Sequence, residues 1–254
     1  MATKYTLNEG FFDTFDQNSA YILGFWAADG YINKSKKSYT WGLVQKDESF
    51  LRKLAKVMDS NSPVSPKENC YQIRIYNKKL YYKMVSFGFG SDKSYSMVFP
   101  EMSYENRRHF VRGYFDGDGC IMVKKNNQLK VVFTCGDVSF LQDLKDQLEK
   151  DAHLTGGYIT HLKNTKAHQL GYSTSDCLKI RDYIYGEGDL FLNRKRDIFF
   201  NYKPNKERSR SFEITRPDQT KITVRNLSEF KRKHNLPSLA TSQASRGYTV
   251  KRLT

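Results

Sequence analysis

The sequence predicts an α+β chain made of two copies of one unit of about 90 residues, followed by a small basic helical module. Three observations carry this reading. First, AYILGFWAADG at 20–30 is echoed by FVRGYFDGDG at 110–119, with Gly24 against Gly113 and Asp29-Gly30 against Asp118-Gly119, an offset of 89. Second, QKDESFLRKLAKVM at 45–58 and CGDVSFLQDLKDQL at 135–148 share Asp-x-Ser-Phe-Leu-x-x-Leu at an offset of 90. Third, YQIRIY at 71–76 alternates cleanly, with Tyr71, Ile73 and Ile75 on one side and Gln72, Arg74 and Tyr76 on the other. That alternation builds a half-buried sheet with a polar, basic outer face.

The elements follow in order. A helix from about 19 to 29 is apolar almost all round and should be buried on several sides. After Gly30, YINKSKKSYTWGLVQ has the pattern of a hairpin. Asp47 stands at an N-cap before apolar residues at helical spacing, and the 71–76 strand completes the first copy. In the second copy the helix ending at Asp118 is followed by the hairpin IMVKKNNQLKVVFTC, with Asn126-Asn127 near its turn. Asp137 caps the next helix, and a less regular strand lies near HQLGYSTS. Each copy thus reads as helix, strands, helix, strand, helix.

Composition narrows the setting. The chain has 254 residues, 42 Lys and Arg against 27 Asp and Glu, and a formal net charge of +15. Such an excess among many aromatics points to a polyanionic partner, nucleic acid above all. The four cysteines, Cys70, Cys120, Cys135 and Cys177, form no C-x-x-C pair and have no histidines at zinc-site spacing. A disulfide framework is not expected at this size, so a reducing, intracellular compartment is the expectation. No apolar stretch approaches the ~20 residues of a membrane span, and MATKYTLNEGFFDTF lacks the form of a signal peptide.

The motif helices pose a chemical question. An interior Gly costs a helix about 1 kcal/mol relative to Ala, and Asp at a helix C-terminus opposes the macrodipole. Gly24 and Gly113 would let two backbones approach at van der Waals contact, which brings Asp29 and Asp118 side by side. Paired acids repel unless a cation or a shared proton lies between them. Divalent-metal hydrolysis of phosphodiesters, glycoside hydrolysis and an EF-hand at Asp116-x-Asp118 are the three chemistries to weigh. The EF-hand fails, because it needs Gly and Glu where this chain has Ile121 and Asn127. Glycoside hydrolysis leaves the positive sheet face unexplained. Phosphodiester hydrolysis uses the acids, the basic surface and the two-fold repeat together.

The pair ILGFWAADG and VRGYFDGDG resembles the LAGLIDADG motif, and the layout is similar to the single-chain, two-motif LAGLIDADG homing endonucleases over roughly 13–202. The resemblance implies two pseudo-symmetric αββαββα subdomains, 1–102 and 103–202, whose saddle-shaped antiparallel sheets straddle double-stranded DNA. It implies a monomeric endonuclease that cuts a long asymmetric target across the minor groove and leaves 3′ overhangs. Asp29 and Asp118 would bind the catalytic metal, assisted by the carbonyls of Ala28 and Gly117. The earlier motif acid is Ala27 in one copy and Asp116 in the other. The metal would be Mg²⁺, replaceable by Mn²⁺, with Ca²⁺ supporting binding without cleavage. A polar residue on the second strand is expected near the metal; Gln45 fits, while Cys135 stands at its equivalent. Lys93 and Lys195 would stabilise transition-state charge. Lys34, Lys36, Lys46, Gln72 and Arg74, with Lys124, Lys125, Asn127, Gln128 and Lys130, are the expected DNA contacts, and Arg74 or a lysine is suited to guanine.

The tail, 203–254, is expected to bind DNA as a basic linker and a helix-turn-helix-like segment. From residue 202 it carries 13 Lys and Arg against 4 Asp and Glu. Leu227, Phe230 and His234 share a helical face, Asn235-Leu236-Pro237 breaks it, and Leu239 is read as opening a second helix that Gly247 ends. Ser242, Gln243 and Arg246 would lie on that second helix, with Lys231, Arg232 and Lys233 at phosphates. Two rivals share the scaffold: an intron RNA maturase, and a DNA-binding regulator that does not cleave.

Overall fold

The computed structural model describes residues 5–90, 97–204, 211–224, 227–236, 238–241 and 244–253. The chain divides into two compact units, Met1–Tyr202 and Lys203–Thr254.

Within the first unit one pattern occurs twice. The first half runs α1 (Gln17–Asp29), β1 (Gly30–Lys34), β2 (Tyr39–Gln45), α2 (Glu48–Val57), β3 (Val64–Lys67), β4 (Cys70–Tyr76) and α3 (Lys78–Ser86). The second runs α4 (Tyr104–Asp118), β5 (Cys120–Val123), β6 (Leu129–Cys135), α5 (Val138–Ala152), β7 (Tyr158–His161), β8 (His168–Ser173), α6 (Thr174–Tyr185) and then α7 (Asn193–Asn201). The sheets have matching antiparallel orders, β1-β2-β4-β3 and β5-β6-β8-β7.

The caps anticipated from sequence are in place. Asp47 accepts the backbone N–H of Phe50, and Asp137 accepts those of Ser139 and Phe140. The helix α1 begins two residues before the predicted start, because Asp16 and Ser19 form a reciprocal capping box. In the second hairpin Asn127 supplies the left-handed residue at φ 57°. The strands β3 and β7 escape a reading by periodicity, having four residues each and mostly exposed side chains. As an edge strand, β3 tolerates Pro66.

Both sheets turn one face to a shared core. Ile32, Trp41, Leu43, Ile73 and Ile75 line it from the first sheet, and Ile121, Leu129, Val131, Phe133, Leu170 and Tyr172 from the second. Between them α1 and α4 are buried almost all round, as the apolar motif sequences require. The four cysteines are free thiols. Among the described residues no helix is long and apolar enough to cross a membrane.

The second unit differs from the sequence reading. It contains β9 (Phe212–Thr215), β10 (Lys221–Val224), α8 (Leu227–Lys233) and β11 (Thr249–Arg252), in a three-stranded antiparallel sheet of order β10-β9-β11. Only the first of the two expected helices is found among the described residues. Asn235, at φ 52°, turns the chain out of α8. Leu236 and Leu239 then fill the core with Ile214, Phe230 and Val250 from irregular backbone. Arg246 and Gly247 both take positive φ, 49° and 79°, in a tight turn closed by paired Ser245 and Tyr248. The glycine read as a helix stop is a turn residue. Part of the expected linker is likewise strand β9, whose single buried core residue, Ile214, gives too short an alternation to read.

Candidate active site at the paired helix ends

The two motif glycines meet across the α1–α4 contact. A Cβ on Gly24 would lie 2.0 Å from the carbonyl oxygen of Phe110 and 2.9 Å from the backbone nitrogen of Tyr114. One on Gly113 would lie 2.0 Å from the carbonyl oxygen of Tyr21 and 2.7 Å from the nitrogen of Phe25. The obstacles are main chain, so no side chain can swing aside. One turn later the register repeats, since a Cβ on Gly117 would sit 2.2 Å from that of Ala28. The next residue on each helix is its last, Asp29 or Asp118.

Asp29 is half-buried and Asp118 exposed. At the end of β2, Gln45 is nearly covered and donates Nε2–H to Asp29 Oδ2 at 3.0 Å. Its Oε1 accepts the N–H of Lys46 at 2.7 Å, which fixes the amide with its donor toward the carboxylate. Cys135 occupies the same place at the end of β6. Burial, with the charges of Asp137 and Asp118 adding to it, pushes the Cys135 thiol up. One acid therefore has an amide donor at that position and the other a neutral thiol.

Lys195, in the first turn of α7, is 5% exposed and reaches the end of α4. Its ammonium donates to the carbonyls of Phe115, Gly117 and Gly119 at 2.6, 3.0 and 2.5 Å. A cation here complements the negative end of the helix dipole, and the Phe115 carbonyl it reaches also accepts the cap N–H of Gly119. Burial pushes it down to about 8 against the opposing charges of Asp116, Asp29 and Asp118, with Arg194 adding to the depression. The Gly117 carbonyl, expected beside a metal, accepts from Lys195 here. Lys93 lies outside the described residues.

Sequence reasoning missed the network that carries Lys195. Asp116 is fully buried and accepts from Tyr21 Oη at 2.7 Å, Tyr185 Oη at 2.6 Å and the Leu192 N–H at 2.9 Å. Burial pushes its carboxyl up, and these three donors hold it back. One turn earlier Arg112, 1% exposed, donates Nε–H to the Leu190 carbonyl at 2.8 Å and Nη1–H to the carbonyls of Ile184, at 2.9 Å, and Glu187. Its guanidinium lies 5.2 Å from the centre of the Tyr21 ring. The i, i+4 spacing of Arg112 and Asp116 was the available signal, but neither partner segment is near in sequence.

The expected DNA contacts separate by structure. Lys34, Lys36, Lys46, Lys124, Lys125 and Gln128 are exposed at strand ends and turns, and Asn127 is half-buried in its turn. Arg74 is exposed, whereas Gln72, expected to point outward to DNA, is 8% exposed and accepts from Arg74 Nε at 3.0 Å. Lys130 is half-buried, its ammonium 5.7 Å from the centre of the Tyr158 ring. In the second unit Lys231, Arg232 and Lys233 form the last turn of α8. Arg246 is exposed on the turn described above rather than on a helix; Ser242 and Gln243 lie outside the described residues.

A family model of the LAGLIDADG-like domain matches the chain twice, at residues 16–86 and 105–184, together more than half its length. The chain belongs to the LAGLIDADG-like family. Solved structures of LAGLIDADG proteins share its fold. A mesophilic variant of the homing endonuclease I-DmoI is 18% identical with a TM-score of 0.52, the match covering 68% of this chain and 98% of that one. The homing endonuclease I-WcaI, solved bound to its DNA recognition sequence, is 15% identical with a TM-score of 0.54, over 71% and 85% of the two chains. I-LtrWI, bound to target DNA, is 13% identical with a TM-score of 0.52, over 73% and 88%. Comparison with curated proteins gave no match.

The LAGLIDADG helix ends fit a divalent cation by donor chemistry. Asp29 and Asp118 end the two packed helices, and their carboxylates supply hard oxygen donors. Mg²⁺ is commonly held by one or two carboxylates, with substrate phosphate and water completing its shell. Among the described residues no group of three or more His, Cys, Asp or Glu is placed to hold a metal alone.

Proposed function

We propose that the chain is a divalent-metal-dependent, site-specific endonuclease of double-stranded DNA. The observation that carries this reading is the backbone-to-backbone contact at Gly24 and Gly113, which ends in Asp29 and Asp118. The net charge of +15, the exposed lysines at the strand ends and turns and the family membership support a duplex partner. I-DmoI in complex with DNA and Mn, 18% identical with a TM-score of 0.51, supports both partner and metal class.

In this reading Asp29 and Asp118 hold the cation, and Gln45 orients the Asp29 carboxylate through one oxygen. When bound, the cation supplies charge for the phosphoryl oxygens and a water of lowered pKa. Lys195 keeps the end of α4 in place and adds positive potential beside the reacting phosphate. Water is the attacking group, since among the described residues no hydrogen-bonded Ser/His/Asp or Cys/His arrangement calls for a covalent intermediate.

The test is cleavage of a randomised duplex library with Mg²⁺, with Ca²⁺ and EDTA as controls, followed by sequencing of the ends. Discrete double-strand breaks at one long motif are expected with Mg²⁺ alone. Asp29→Asn and Asp118→Asn should each lose on the order of 10²-fold or more in rate while still binding the site. A variant that cuts both strands at the wild-type rate would remove that aspartate from the mechanism. Tight binding without cuts would make the chain a regulator, and binding to structured intron RNA alone would make it a maturase.

A further inference from the structure

The outer face of the first sheet holds an arginine in a frame built by three strands. Tyr31 on β1 pairs across with Gly42 on β2, and Gly42 pairs with Arg74 on β4. The Tyr31 ring lies flat on Gly42, where a Cβ would come within 2.2 Å of the ring's Cζ. Its hydroxyl accepts from Arg74 Nε at 3.2 Å, and Gln72 Oε1 accepts the same N–H at 3.0 Å. Tyr76, on the same face, also bears on the guanidinium. The supports are neutral, and among the described residues no carboxylate pairs with Arg74. Its full charge is therefore kept for an outside partner.

We propose that Arg74 reads a guanine in the half of the target facing the first sheet and is a specificity determinant of the chain; this rests on the duplex-cleaving reading above. Anchoring Nε sets the plane of the guanidinium and leaves the terminal Nη1/Nη2 fork as the recognising end. In the major groove guanine alone presents two adjacent acceptors, O6 and N7, and a fork binds both at once. A side chain already held in position loses less rotamer freedom on binding. Placement separates this role from a phosphate contact. Arg74 lies on an inner strand, opposite a glycine, whereas Lys34, Lys36 and Lys46 stand at strand ends and turns.

The second sheet also lays a tyrosine on a glycine, but at its opposite edge, between β7 and β8. Tyr158 lies on Gly171, where a Cβ would be 2.7 Å from its Cζ, but Lys130 is the cation over the ring. An ammonium is a point charge without a fork and selects less sharply among bases. None of the four strands of the second sheet carries an arginine, so the strict guanine belongs to the half-site facing the first sheet.

The experiment is selection of randomised duplexes by binding in Ca²⁺ and, separately, by cleavage in Mg²⁺, for the wild type, Arg74→Lys and Tyr31→Phe. Thermal melting verifies that the variants fold. The wild type should show a near-invariant guanine at one position of one half-site. Arg74→Lys should lower that preference about tenfold or more and leave the other positions alone, and Tyr31→Phe should weaken it partially. An unchanged profile for Arg74→Lys, or an affinity loss equal across all sequences, would overturn the proposal while leaving the endonuclease intact. A wild type that neither binds nor cuts any duplex would sink both readings.

Discussion

A guanidinium with 1% of its surface exposed must replace its hydration shell with protein oxygens, and Arg112 does so with three carbonyls from the last turn of α6 and the segment that follows it. Arg112→Met should therefore destabilise the fold by about 3 kcal/mol, measured by denaturant unfolding, because the carbonyls lose their donor and Asp116 loses a nearby positive charge. Cleavage should fall with it, since that segment leads into Lys195. The same guanidinium acts on His109, one turn earlier on α4. Burial, then the charges of Arg112 and Arg108, pushes this imidazole down to about 4 from an ordinary 6.5. The unfolded chain binds the proton first as pH falls. The contribution is thus fully present above pH 6.5 and is lost between there and about 4, amounting to roughly 3 kcal/mol. His109→Gln should flatten that part of the stability–pH curve; an unchanged slope would place the titrating group elsewhere.

Among the elements, α1 and α4 were legible in detail because their contact is written in residue types. A glycine at the middle of an apolar helix, found twice, has one economical explanation, and the backbone obstacles around Gly24 and Gly113 bear it out. Gly113→Ala should force the helices apart and destabilise by about 3 kcal/mol, a fall of roughly 10 °C in Tm, with a loss of cleavage beyond what melting explains. Wild-type stability in that variant would mean that the contact can relax. Legibility ended where partners are distant or spacing is short. Asp116 reads as a second motif acid, yet it is a buried acceptor whose donors lie on α1, on α6 and just before α7. In the second unit, strands of four residues gave no usable period, and leucines at near-helical spacing proved to pack from a turn.

The whole molecule is a charge distribution as well as a fold. The segment from residue 202 carries 13 of the 42 Lys and Arg, and the second unit has its own core around Ile214, Phe230, Leu236, Leu239 and Val250. A chain ending at Tyr202 should keep the folded two-half unit, which far-UV circular dichroism and melting would verify. It should bind DNA more weakly, with a shallower dependence of log K on log salt, by about 0.9 for each phosphate contact removed. An unchanged slope would mean that the tail does not touch the backbone. Sequence alone sufficed for the repeat and for the paired acids. The exchange of Gln45 for Cys135 was legible in the repeat, whereas the hydrogen bond from Gln45 to Asp29 and the frame of Tyr31 and Gln72 around Arg74 needed coordinates, because they depend on which neighbours hold each side chain.

The buried acceptor on α4 also bears on how such a chain can evolve. Its donor Tyr21 belongs to the first copy, and the repeat offset puts Phe110, without a hydroxyl, at the matching place in the second; Arg112 and Asp116 correspond to Leu23 and Ala27. A homodimer of the second copy would keep the acid and lose a donor, while a homodimer of the first would keep the tyrosine with no acid to serve. The duplicated halves have become non-interchangeable parts, and the linker that joins them is no longer a convenience that a split gene could discard in favour of either half alone.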